Sequence, residues 1–193
     1  MMGGIRELPW QNDTSIGDWF WTNPPKYRSV DSIIDMLVDI VSKNGNLLLN
    51  VPPKDDGTLD VQAVHILDEL GRWMDMNGQA IYGTRPWVKF GEGPTATKAG
   101  NFSDKHIAFT AQDIRFTTKG TTLYAIVLDW PKRRELVIKS LNRDLKNIAA
   151  FESVSLLGYK GTLKWRRDDD GLHVELPPEK PCDYAVTFKI RTR

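Results

Sequence analysis

The stretch Asp31-Ser32-Ile33-Ile34-Asp35-Met36-Leu37-Val38-Asp39-Ile40-Val41-Ser42-Lys43-Asn44-Gly45-Asn46-Leu47-Leu48-Leu49-Asn50-Val51 decides the fold. Its first part places Ile33, Ile34, Leu37, Val38, Ile40 and Val41 on one broad face at helical spacing, which predicts a helix over 31–43. Ser29 or Asp31 can cap the N-terminus through a side-chain oxygen, and Gly45 suits a left-handed cap after the last turn. Asn46 to Val51 is a short apolar run. Between two helices it predicts a strand buried on both faces of a parallel sheet. Pro52-Pro53-Lys54-Asp55-Asp56-Gly57 follows as a turn-rich loop. Asp60 then caps a second helix over 61–77, with Val64, Leu67, Leu70, Trp73 and Met74 as its core stripe and Gly78 at its end. Thr14-Ser15-Ile16 reads as an earlier strand. Strand, helix, strand, loop, helix is a piece of an α/β barrel or a doubly wound sheet. In both, function gathers in loops after the C-terminal ends of strands. Two segments lie there, the loop 52–59 and the residues after Ile16.

Downstream the periodicity changes. Residues 121–128, 135–139 and 184–190 read as strands, and 163–165 with 172–176 flank an Asp169-Asp170-Gly171 turn as a hairpin. Several short strands with turns between them predict an antiparallel β-sandwich. The expected fold class is therefore α/β plus all-β. Residues 1–85 form the C-terminal segment of a (β/α)8-like barrel, incomplete here, and residues 86–193 form the sandwich.

The 193 residues carry a formal net charge of +1, which points to neither nucleic acid nor an anionic membrane as partner. No apolar run approaches the roughly 18 residues of a membrane span. The first residues lack the apolar core of a signal peptide, so the compartment stays open. With Cys182 as the single cysteine, no internal disulfide or cysteine-based metal site can form. His65, His106 and His173 lack ligand spacing. No metal or organic cofactor is expected. Seven tryptophans are present, among them Trp10, Trp19, Trp21, Trp73 and Trp87. Flat rings can stack on the C–H faces of sugars, but core packing is the commoner use of tryptophan.

Three runs carry a resemblance. Trp10-Gln11-Asn12-Asp13-Thr14-Ser15-Ile16-Gly17-Asp18-Trp19 and Met36-Leu37-Val38-Asp39-Ile40-Val41-Ser42-Lys43-Asn44-Gly45-Asn46-Leu47-Leu48-Leu49-Asn50 resemble segments of the retaining α-L-fucosidase family. Asn77-Gly78-Gln79-Ala80-Ile81-Tyr82-Gly83-Thr84-Arg85-Pro86-Trp87 resembles that family's junction between catalytic barrel and C-terminal sandwich. The resemblance covers residues 8–87 by motif and the remainder by β-rich pattern and position. It implies exo-hydrolysis of terminal α-linked L-fucose by two carboxyl groups about 5 Å apart, a nucleophile and an acid/base. It also implies that the nucleophilic Asp lies upstream of Trp10. Many relatives have Glu where this chain has Gln11, a neutral amide that cannot act as general acid. In relatives with Gln there, the acid/base Glu lies upstream as well. A complete barrel takes about 250 residues. No residue of this chain is therefore expected to be catalytic, and activity belongs to the family's complete enzyme.

The resemblance implies a fucosylated glycan or fucoside as substrate. Trp19 matches an aromatic beside the fucose pocket, where an apolar wall can bury the C6 methyl, and Phe20 or Trp21 can share that role. Asp13, Asp18 and Glu7 are the nearby carboxylates, and capping or solvation is their simpler role. Asp55 and Asp56 are more simply turn residues, and Asn50 a structural hydrogen-bond partner. Asn12-Asp13-Thr14 and Asn101-Phe102-Ser103 fit the glycosylation pattern and read as chance matches. Two other functional classes fit the same residues. One is a non-catalytic carbohydrate-binding or accessory sandwich carrying a relic of the barrel. The other is a subunit that completes a barrel whose missing strands another chain supplies.

Overall fold

The structure is a computed structural model that describes residues 3–97, 107–145 and 150–192; the Asn101 glycosylation pattern and His106 lie outside them. Strand β1 (Trp10–Ser15) and strand β2 (Gly45–Asn50) pair in parallel, with Trp10 opposite Gly45 and Ser15 opposite Asn50. Helix α1 (Val30–Ser42) connects them and helix α2 (Val61–Asn77) follows. Ser29 caps α1 by accepting a hydrogen bond from the Ser32 amide at 3.2 Å, and Asp60 caps α2 by accepting one from the Gln62 amide at 2.8 Å. Both caps satisfy amides that the first helical turn leaves without intrahelical partners.

Three sequence expectations shift. The left-handed residue after α1 is Asn44, with φ of 70°, and not Gly45. Asparagine tolerates that conformation. Gly45 is required for packing, since a Cβ there would lie 2.6 Å from the Trp10 ring and 2.7 Å from Ile40 Cγ2. The apolar run 46–51 does form a parallel strand, but it is not buried on both faces, and Leu48 is 55% exposed. In a two-stranded ribbon, nothing among the described residues covers that side. The buried stripe of α2 is Ala63, Ile66, Trp73 and Asn77, with Leu70 and Met74 packed partly against the same core. Val64 is outside it and 41% exposed. Trp73 sets the rotation: its Nε1 donates to the Ala185 carbonyl at 2.8 Å, fastening the helix to the sheet beneath.

The rest is β-structure. Strands β3 (Arg85–Glu92), β4 (Ile114–Lys119), β5 (Thr122–Val127), β7 (Phe151–Leu156) and β10 (Val186–Thr192) form an antiparallel sheet in the order β3-β4-β5-β10-β7. Strands β6 (Glu135–Ile138), β8 (Trp165–Arg167) and β9 (Leu172–Glu175) form a second, in the order β6-β9-β8. Their inner faces bury Phe116, Leu123, Ala125, Val127, Ile138, Leu172, Val174 and Phe188 between them, consistent with a sandwich.

The outer face of the five-stranded sheet is not left to solvent. Side chains alternate along β5. Leu123, Ala125 and Val127 enter the sandwich core, while Tyr124, Ile126 and Leu128 pack with Ile33, Ile34, Ile66 and Trp73 of the helices. The helices expected to cover a barrel sheet thus share their core with the sandwich. The molecule is mostly β-sheet with two helices, and the two parallel strands do not make a barrel.

A buried ionic cluster pins α1 to β4. Arg115 Nε donates to Asp39 Oδ1 at 2.7 Å, and Lys43 Nζ donates to Asp39 Oδ2 at 2.6 Å and to Thr97 Oγ1 at 2.6 Å. Asp39 and Lys43 are 0% exposed and Arg115 is 2% exposed. Burial pulls the Lys43 pKa down, and the Asp39 carboxylate opposes that pull. The Phe90 ring lies against both cations, 4.7 Å from Lys43 Nζ and 5.4 Å from Arg115 Cζ.

Candidate functional site

The C-terminal ends of β1 and β2 lie side by side, and their last residues hold the loop that follows β1. Asn50 Nδ2 donates to Ser15 Oγ at 3.0 Å and to the Trp19 carbonyl at 3.1 Å. Ser15 Oγ lies 2.8 Å from the Asp18 carbonyl, to which it donates. Arg28 Nε donates to the Ser15 carbonyl at 3.1 Å, and Gly17 bridges to Tyr27 on the returning chain. The turn needs glycine at 17, because a Cβ there would sit 2.1 Å from the Lys26 carbonyl oxygen. Asn50 therefore has the structural role expected of it. Ser15 and Arg28 complete the network; their only sequence signal was a small hydroxyl at a strand end and a basic residue before a helix cap.

This frame displays aromatic side chains. Trp19 is 46% exposed and Phe20 is 82% exposed, so neither is used to fill a core. Trp21 is half-buried, and its Nε1 has no hydrogen-bond partner among the described residues. All three stand on one short loop beside the ends of two parallel strands. A rigid backbone carrying open aromatic surface suits an apolar patch of a small ligand, such as a methyl group or a sugar C–H face.

The nearby carboxylates have local tasks. Asp13 Oδ1 accepts from Gln11 Nε2 at 2.8 Å, and Asp18 Oδ2 accepts from Thr22 Oγ1 at 3.5 Å. Glu7 is exposed on the segment before β1. In the loop after β2, Asp56 Oδ1 accepts from the Thr58 amide at 2.9 Å and from its hydroxyl at 2.6 Å, and these bonds hold its pKa below the usual carboxylate range. That is turn chemistry, as is the φ of 79° at Gly57. The strongly perturbed carboxyl lies elsewhere. Burial, reinforced by Asp31 and opposed by Arg115, pushes Asp35 on α1 up to about 8. Besides Asp31, its charged neighbours are Arg115, Asp113 and Asp129 of the β-rich half. Among the described residues, no group of three or more His, Cys, Asp or Glu could hold a metal ion.

Comparison with known proteins matches this arrangement along nearly the whole chain. The family described as "Alpha-L-fucosidase" matches residues 1–79, and the "Alpha-L-fucosidase C-terminal domain" matches residues 108–191. The chain is 31% identical over 191 residues to the tissue alpha-L-fucosidase of Homo sapiens, covering 94% of this chain and 36% of that protein. To an alpha-L-fucosidase of Branchiostoma floridae it is 27% identical over 199 residues, covering 98% of this chain and 40% of the relative. Among solved structures, the Thermotoga maritima alpha-fucosidase in complex with a mechanism-based inhibitor superposes with a TM-score of 0.77 at 26% identity, over 99% of this chain and 42% of that one. The same enzyme in complex with fucose gives 0.75 at 27% identity, over 96% and 40%. The chain thus spans about two fifths of the length of the relatives it matches.

Proposed function

The chain belongs to the α-L-fucosidase family, of which it represents the C-terminal portion, and from that premise we propose that it serves the hydrolysis of terminal α-L-fucose from glycoconjugates with retention. Residues 1–85 are the closing segment of a (β/α)8-like barrel and residues 86–193 its sandwich. Trp19, Phe20 and Trp21 supply part of the fucose pocket wall. The supporting observation is the aromatic loop held by Ser15 and Asn50 at the C-terminal ends of two parallel strands, where barrel enzymes place their sites. The open edges of β1 and β2 and the exposed Leu48 fit strands that continue into a larger sheet. The nucleophilic Asp and the acid/base Glu come from outside these residues, since near the loop Asp13 and Asp18 have local hydrogen-bond partners and Glu7 is exposed on the segment before β1. Retention by two carboxyls about 5 Å apart is the family's route.

Incubation of the purified chain with an aryl α-L-fucoside tests this reading. The expected result is no release of the aryl alcohol by the chain alone, together with a change in tryptophan emission on fucoside addition that Trp19→Ala diminishes. Turnover abolished by substituting Asp13, Asp18 or Glu7 would overturn the placement of the catalytic pair. A second reading, a subunit that completes a barrel supplied by another chain, is favoured by the core the helices share with the sandwich, which ties the two layers together among the described residues. Restoration of hydrolysis by adding the missing strands as a separate chain distinguishes it.

A further inference from the structure

The two sheets of the sandwich leave a groove at one side, between β3 at the edge of the five-stranded sheet and β6 at the edge of the three-stranded one. Its volume is about 780 Å³, within the range of small-molecule sites. Four cationic side chains line it: Lys89 from β3, Lys132 and Arg133 from the segment before β6, and Lys139 just after β6. None of the four has an ion-pair partner among the described residues.

The two carboxylates in the lining have partners other than the four cationic side-chain groups. Glu92 accepts from the backbone amides of Lys139 at 2.9 Å and Ser140 at 2.6 Å, which bolts the end of β3 to the turn after β6. Glu135 lies 3.4 Å from His173 Nδ1 and 3.6 Å from Arg166 Nη2, on the next strands of its sheet. Glu92 thus fixes the relative position of the two walls, and with both carboxylates counted the four cations leave the lining a net charge of +2. From Arg133 to Lys139 an extended chain covers roughly 15–20 Å. Charges spread over that length match a row of anionic groups better than a single phosphate.

We propose that this groove binds an anionic saccharide chain, one carrying sulfate or carboxylate groups, separately from the aromatic loop. The choice of a saccharide rests on the α-L-fucosidase reading and on the lining itself. Among the described residues, no aromatic ring lines the groove for base stacking, whereas Pro131 and Val137 offer apolar surface for sugar C–H faces. A net charge of +1 also gives no broad field for nucleic acid. Lysine and arginine donate charge-assisted hydrogen bonds to sulfate and carboxylate oxygens. Each exposed contact is weak alone, so the affinity is additive along the groove and falls with salt.

Affinity electrophoresis of the 193-residue chain through gels containing dextran sulfate, polygalacturonate or neutral dextran tests the proposal. Retardation by dextran sulfate, by polygalacturonate or by both supports it, and the two arms identify the anion; neutral dextran has no effect. K132E/R133E weakens the dissociation constant at least about tenfold, whereas K26E/K160E, an equal charge change away from the groove, moves it less than about twofold. Three outcomes overturn it: no retardation by either polyanion, equal weakening in both variants, or equally tight binding of duplex DNA through Lys132 and Arg133. A chain that binds dextran sulfate through the groove yet never answers to a fucoside would instead sink the aromatic loop as a fucoside-binding wall and leave the groove standing.

Discussion

Replacing Asp39 with asparagine removes the counter-charge from two buried cations at once. Its carboxylate contacts Arg115 Nε at 2.7 Å and Lys43 Nζ at 2.6 Å, and all three side chains are essentially without solvent contact. An amide can accept from one cation, but its NH2 then faces the other. Breaking a buried ion pair from one side costs about 3–5 kcal/mol, because a charge is left desolvated and unpaired. With a urea slope of about 2 kcal/mol/M, the midpoint should fall by roughly 1.5–2.5 M. Intrinsic fluorescence follows both layers, since Trp73 lies in the helix core and Trp87 in the sandwich core. Because the cluster joins α1 to β4, the two layers should lose stability together rather than the helices alone. The triple variant D39L/K43M/R115M replaces all the charges with apolar groups of similar size and should come within about 1 kcal/mol of the parent, as such replacements are often neutral. A D39N chain less than 1 kcal/mol below the parent, or a triple variant as weak as D39N, would refute the assignment of the cluster as an ionic clamp held by Asp39.

Asp35 predicts a pH dependence. Its folded-state pKa of about 8 lies above the ordinary value of 3.8, so the folded chain holds the proton more tightly. The stability this contributes is complete below about pH 4 and is lost progressively as pH rises through 8. Asp35→Asn cannot titrate, and its stability relative to the parent should grow between pH 5 and 9 in urea titrations; parallel curves would remove Asp35 as the cause. Gly45→Ala forces a methyl against Trp10 and Ile40 and should destabilise by about 1–3 kcal/mol, read as a lower thermal midpoint. Trp19→Ala with Phe20→Ala should change stability by no more than about 0.5 kcal/mol, because both rings are open to solvent, while reducing the emission response to fucosides.

What the sequence revealed and what it hid follow one physical division. Helix caps act within three residues, so Ser29 and Asp60 were legible from local chemistry. The hairpin around Asp169-Asp170-Gly171 was legible for the same reason; Gly171 there takes a φ of 153°. Strands β3, β4 and β7 were not singled out. β3 carries Pro86, Gly91 and a register break between Pro86 and Gly91, and Phe151–Leu156 in β7 alternates weakly. Their pairing comes from neighbours far along the chain. The site divides similarly. Three consecutive aromatics are visible in any reading, whereas the Ser15–Asn50 contact that sets their frame spans 35 residues.

Polar residues inside an apolar face were the signal that composition alone could not interpret. Asp35, Asp39 and Ser42 share the buried side of α1 with Val38 and Ile34, at spacings of four and three. A helix made only to cover a barrel strand has no need of two carboxylates there. Arg115, 76 residues from Asp39, supplies the reason for one of them. That long-range pairing also shows what the helix layer packs against within this chain: the outer face of the sandwich sheet, through Tyr124, Ile126 and Leu128. The two helices and the sandwich are therefore joined by one apolar core and one ionic clamp. Helix α1 in turn packs against β2, whose last residue, Asn50, holds the aromatic loop.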